Sequence, residues 1–180
     1  MSFLSRKILL IVLLTIVGWL ISPLSHAQQG KGLVNMQGAI VDTACSIDTG
    51  DREQSINMGS LPLAEISAKG KGIPHAFSIR LTDCVLERSN PRLADWKKFQ
   101  ITFDGSANGA LFSLLGKASG VDLRISDADG HIALAGQALP AQMLIAGDMR
   151  MDYFLTLVRN HQPLVAGNYF TTIRFKLDYF

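Results

Sequence analysis

Few residues in this chain are equipped for chemistry, and their spacing restricts what they can do. Cys45 and Cys84 are the only thiols. They lie too far apart, with no CxxC or HxxxH nearby, to make more than half of a zinc site. The four histidines, His26, His75, His131 and His161, are scattered near turns and expected strand ends. Asp127, Asp129 and Gly130 look like the opening of a calcium loop, but the third ligand and the closing bidentate glutamate are missing. A hairpin turn built from Asp and Gly accounts for them more simply. Gly30-Lys31-Gly32 and Gly70-Lys71-Gly72 lack the strand-then-helix setting of a phosphate loop and read as flexible linkers. No HExxH, GxSxG, Walker or GxGxxG sequence occurs. No catalytic residue or metal ligand is assigned, and no cofactor is expected.

The first residues set the compartment. Arg6 and Lys7 precede an apolar run from Ile8 to Ile21, and Ser25-His26-Ala27 supplies small residues at a cleavage site. This is the pattern of a secretory signal peptide, residues 1–27. Removing 27 of 180 residues leaves 153, enough for one domain. The 17 basic side chains lose Arg6 and Lys7 and become 15, equal to the 15 acidic ones. A neutral mature chain gives no reason to expect nucleic acid or an anionic membrane as partner. Export also means an oxidising environment, which would pair Cys45 with Cys84.

The elements that position these residues are written in period two. Phe77, Ile79 and Leu81 alternate with polar residues, as do Phe99, Ile101 and Phe103, then Val121, Leu123 and Ile125. Met151, Tyr153, Leu155 and Leu157 share a face. The strongest alternation runs from Tyr169 to Tyr179, read as one strand. Strands with one wet face, separated by Asp-Gly and Asn-Gly turns, argue for an antiparallel β-sandwich. A short helical turn is expected near 61–67. A phase switch at Ile40-Val41 suggests a kinked strand or bulge. With 48% hydrophobic and 18% charged residues the chain is not a disordered tail.

Two ends need explaining: a Gly-rich alternating N-terminus and a long apolar strand, Tyr169 to Phe180, whose edge must be covered. Together with the cysteines they carry a resemblance. Gly38 through Cys45 to Ile47, Ile56 to Gly59, Phe77 to Cys84, Gly120 to Asp127, Ala166 to Phe170 and Phe175 to Phe180 are similar, in order and spacing, to the pilin subunits of chaperone–usher fimbriae. The resemblance implies an all-β fold, an incomplete immunoglobulin-like β-sandwich lacking its last strand, with an N-terminal donor-strand extension at 28–37 and a pilin domain at 38–180. It implies a groove filled by a periplasmic chaperone and later by a neighbouring pilin's extension, with an outer-membrane usher as third partner. It places Gly30, Gly32, Val34 and Met36 on one face of the donor strand. It places Phe175, Leu177 and Tyr179 along the groove and makes the Phe180 carboxylate the chaperone's anchor. It implies a structural, non-enzymatic subunit exported through the periplasm to the cell-surface fimbrium. The body looks most similar to a minor subunit that terminates or anchors a rod, with Phe99, Phe103, Phe112 and Met143 able to fill the mouth of the groove. A major rod pilin and a secreted immunoglobulin-like binding domain are the alternatives.

Overall fold

The computed structural model describes residues 33–180. The expected signal peptide and cleavage site, together with Gly30 and Gly32, lie outside the described residues. The chain divides into two units, 1–39 and 40–180. Of the first, residues 33–39 are described; they are exposed and carry no helix or strand.

The second unit is built on β-strands. Its larger sheet contains six strands: β1 (Ser46–Ile47), β2 (His75–Cys84), β9 (Gly147–Arg159), β7 (Val121–Asp127), β5 (Leu111–Phe112) and β4 (Ala107–Asn108), in that spatial order. The smaller has three, in the order β11 (Arg174–Tyr179), β3 (Lys98–Asp104) and β8 (Gln142–Met143). A two-stranded piece pairs β10 (Tyr169–Phe170) with β6 (Leu115–Gly116). All named pairings are antiparallel, as one-sided alternation requires. The helix α1 (Leu63–Lys69) buries only Ile66 and ends at Gly70 in a left-handed conformation, φ 70°, where a residue without Cβ costs least.

Alternation places the core. Met151, Tyr153 and Leu155 of β9 face Ile79 and Phe77 of β2 and Ile125 of β7 through the registers Ile79↔Met151, Phe77↔Tyr153 and Ile125↔Leu155. Phe103 joins the two sheets: its ring lies 5.1 Å from Tyr153, 6.3 Å from Phe77 and 6.4 Å from Phe175. The pairs with Tyr153 and Phe77 are edge-on, and such pairs add to the burial of their area.

One break in period two is required by the disulfide. Strict alternation in β2 would turn Asp83 inward and Cys84 outward. Instead the register slips between Leu81 and Cys84, and Asp83 takes a left-handed φ of 53°, which aspartate tolerates better than most residues. Its amide donates to Asp148 Oδ1 at 3.2 Å. The bulge turns Cys84 into the core, where it is bonded to Cys45. A ring spanning 39 positions stabilises by roughly 2–4 kcal/mol, mainly by restricting the unfolded chain.

Several expectations change. The run from Tyr169 to Tyr179 is interrupted: β10 and β11 belong to different sheets, although odd residues remain the more buried throughout. The segment around Ile40-Val41 is exposed and outside any strand, so no bulge forms there. Gly70-Lys71-Gly72 is not a loose linker. The Gly72 amide donates to Leu157 O at 2.9 Å, the Arg159 amide donates to Gly70 O at 3.0 Å, and Lys71 bridges to Val158. Side-chain alternation cannot report such main-chain bonds.

Tyr153 is fully buried, and its hydroxyl finds only the Met151 sulfur, at 3.6 Å. Burial holds this phenol far above its ordinary pKa. The ring contributes packing and the hydroxyl little. Tyr153→Phe is expected to stay within about 1 kcal/mol of the parent, whereas Tyr153→Ala loses about 3–5 kcal/mol, as read by urea unfolding.

Candidate functional site

Strand β11 pairs with β3 along its whole length, Arg174↔Asp104 to Tyr179↔Phe99. Among the described residues no strand pairs with its other side. Beyond that free edge is a groove of about 1390 Å³. Its floor is the interior of the sandwich: Phe77, Ile79, Phe103, Leu123, Ile125, Leu155 and Leu157. One rim is formed by residues 164–175, leading into β11, and the other by 51–63. Within the second rim, residues 53–61 make no backbone–backbone hydrogen bond among those described. Local side-chain contacts hold it instead. Gln54 Nε2 donates to Ser78 O at 2.7 Å, and the Gly59 amide donates to Asn57 Oδ1 at 2.9 Å. Both rims therefore offer backbone donors and acceptors, and the floor between them is apolar. Water can satisfy the rims, but apolar area left wet in the groove is unfavourable by about 25 cal/mol per Å², and the floor side chains Ile79, Phe103, Ile125 and Leu157 are already buried. An extended peptide with alternating apolar side chains would satisfy both.

Against this geometry the comparisons are decisive. A model of the family described as fimbrial protein matches residues 34–179. The chain belongs to the fimbrial protein family. It is 36% identical over 150 residues to the PRS fimbrial minor pilin protein of Escherichia coli, covering 82% of this chain and 77% of that one. Its fold is similar to the P pilus rod subunit PapA, with TM-score 0.67 at 19% identity over 76% of this chain and 99% of that chain. It is also similar to a subunit in a structure of a chaperone-usher pilus, with TM-score 0.66 at 21% identity over 84% and 96%. The molecule is a structural pilin with an immunoglobulin-like fold.

The pilin's groove has two unlike ends. At the upper end, residues 163–168 press against 116–120. A Cβ on Gly167 would come within 2.6 Å of Ala118 N, and one on Gly120 within 2.7 Å of Pro163 O. Only glycine permits this approach, and it leaves Leu164 to Asn168 lining the groove. At the lower end the sandwich closes. Ala44, Cys45 and Cys84 are buried there, and Tyr179 packs edge-on against Trp96 at 6.1 Å. Burial pushes the Tyr179 hydroxyl up to about 12.

The residues named from the sequence separate along this axis. Phe175 lines the groove. Leu177 and Tyr179 face the same side and pack on the core, but lie below the groove's lined length. Phe180 is half exposed, and one oxygen of its terminal carboxylate accepts from the Lys97 and Lys98 amides at 3.1 and 2.9 Å. Val34 and Met36 belong to the first unit and are 84% and 90% exposed. The proposed plug is not assembled. Phe99 and Phe112 are sealed in the core, Phe103 is floor, and Met143 is 65% exposed on β8, at the opposite edge of its sheet from β11. Sequence reasoning missed Leu61, Ile66 and Leu164 as lining residues. Each is a single apolar side chain in a short helix or loop, where no period marks it.

The Asp127 group is a turn. The Asp127 carboxylate accepts from the His131 amide and pairs with His131 Nδ1, both at 2.8 Å, and Asp127 O accepts the Gly130 amide. A second carboxylate stiffens the rim. Asp51 Oδ2 accepts from Arg80 N at 2.8 Å and from Arg80 Nε at 2.9 Å. The Arg80 side-chain hydrogen bond is the main cause holding its carboxyl below the usual range, against the opposing pull of burial. Its stabilising contribution is present above the unfolded carboxylate pKa, about 3.9, and is lost as pH falls through the lower folded value. Asp51→Asn is expected to lower the thermal midpoint at neutral pH. That difference from the parent should shrink progressively below about pH 4.

Proposed function

We propose that this pilin receives a complementing β-strand in the groove beside β11, first from a periplasmic chaperone and then from the extension of a neighbouring subunit. The observation that carries the reading is the coincidence of a free strand edge with an opening straight into the core. Every buried sandwich strand needs a partner for its main chain and a cover for its floor, and strand addition supplies both. Residues 28–37 are the matching donor, with Gly30, Gly32, Val34 and Met36 as the inserting face. The signal peptide at 1–27 would direct export, and the usher would be the site of exchange on the way to the cell-surface fimbrium.

Kinship with a protein named as a fimbrial minor pilin supports a minor rather than a rod role. A terminating subunit would need an obstructed groove. Here only Phe103 of the residues suggested as a plug lines the groove, as part of its floor; Phe99 and Phe112 are buried in the core and Met143 is exposed on β8. This supports a subunit that accepts a donor as well as giving one.

Phe175 lines the groove, whereas Lys176 on the opposite face is exposed. Phe175→Asp, which puts a carboxylate beside the apolar floor of the groove, is expected to abolish co-purification with the chaperone. Lys176→Ser should leave it intact; capture that survives Phe175→Asp would refute the groove assignment. Acceptance is tested separately by mixing the chaperone-bound subunit with a peptide copying a rod pilin's extension. Release of the chaperone over hours is the expected result. Persistence of the complex, while a rod pilin exchanges in parallel, would establish the terminating role instead.

A further inference from the structure

The first firm attachments of the N-terminal part of the chain to the sandwich fall between Asp42 and Cys45. Cys45 is bonded to Cys84, the Val85 amide donates to Ala44 O at 2.8 Å, and Arg88 Nε stands 3.7 Å from Asp42 Oδ2. Immediately before them, Ile40 and Val41 are exposed. The disulfide and the amide bond hold the backbone at Ala44 and Cys45. Only the Arg88 contact reaches Asp42.

Arg88 is unusual among the described arginines. It lies in the connection from β2 to β3, and its guanidinium carbon sits 3.5 Å from the centre of the Trp96 ring. Its Nε is buried and has no hydrogen-bond partner. Trp96 is itself buried and packs against Tyr179 of β11. A cation is thus pressed on an aromatic face, partly stripped of water, with one carboxylate beside it. A loop that served only to connect two strands would gain more by leaving that guanidinium hydrated. The arrangement makes sense if the cation's task is to hold Asp42. Stacking fixes the guanidinium plane, and the fixed charge then fixes the carboxylate.

We propose that Arg88 is a positioning residue for the extension: through Asp42 it fixes the point of the domain to which the donor segment is tethered. This rests on the donor reading above. A donor strand must meet its acceptor groove in one orientation, and a defined exit raises the fraction of encounters that are productive, as preorganisation does in any association.

The test uses the full mature chain purified with its chaperone, as parent, Arg88→Gln, Asp42→Asn and the double variant. The rate at which each donates its extension to a separate acceptor subunit is followed by native gel. Trp96, the only tryptophan among the described residues, reports the stack by fluorescence in a subunit complemented by a tryptophan-free peptide. Asp42→Asn is expected to slow donation about two- to fivefold, the worth of a partly exposed ion pair. Arg88→Gln should slow it about tenfold, because the stack is lost as well, and should shift the Trp96 emission. The double variant should be no slower than Arg88→Gln. A free peptide of residues 28–41 should exchange alike in every comparison, since it has no pivot. Unchanged rates in the variants, or losses that multiply in the double, would overturn the inference. Failure of the parent and the peptide alike to exchange would overturn the donor reading instead. Asp42 is 43% exposed at its side chain, so its variant keeps the fold and decides the matter even if Arg88→Gln does not.

Discussion

The unpaired edge of β11 is the constraint on which the rest of this structure turns. A sandwich closed on both sides would cover this side of its core with a further strand. Here Phe103, Ile125 and Leu157, themselves no more than 3% exposed, line the floor of a groove that opens beside β11. The domain holds together because its larger sheet is complete around β9, and because Phe103 and Tyr153 bind the two sheets at their centre. The disulfide closes the lower end. The groove lies between the edge of one strand and the segment opposite it. An open edge is ordinarily an aggregation hazard; under the proposed strand addition the same edge would supply the means of assembly.

The site is a matter of backbone as much as side chain. Nothing in the groove resembles acid–base or nucleophilic machinery; the lining is apolar within and polar at the rims. Specificity in such a site comes from the spacing of side chains along a strand, and affinity from main-chain hydrogen bonds. The glycines at 116, 120 and 167 serve that end. They let two loops approach so closely that the upper rim becomes a continuous wall.

Much of this was legible in the sequence, for a physical reason. Period-two alternation records which face of a strand is buried, so β2, β3, β7, β9 and β11 could be located from residue types alone. The pairing of Cys45 with Cys84 followed from export. Where alternation is silent the sequence was silent too. It did not show that Tyr169–Phe170 and Arg174–Tyr179 serve different sheets, because both share one phase. It marked Cys84 as inward only through its chemistry, since the Asp83 bulge that turns it breaks the pattern. Leu177 and Tyr179 share the inward phase of Phe175, and phase cannot say where along a strand a groove stops. That limit is set by Trp96 and the closed lower end, which are distant in sequence.

The direction of the free edge also has a mechanical consequence. Hydrogen bonds between strands lie across the strand axis. A strand seated beside β11 and pulled along its own axis would therefore have its bonds loaded in shear. Under such a load its bonds share the force and must break together. A strand peeled from one end would lose them one at a time. The same groove set crosswise to the chain of subunits would part under far less force, so the orientation of one strand edge bears on how hard the filament can be stretched.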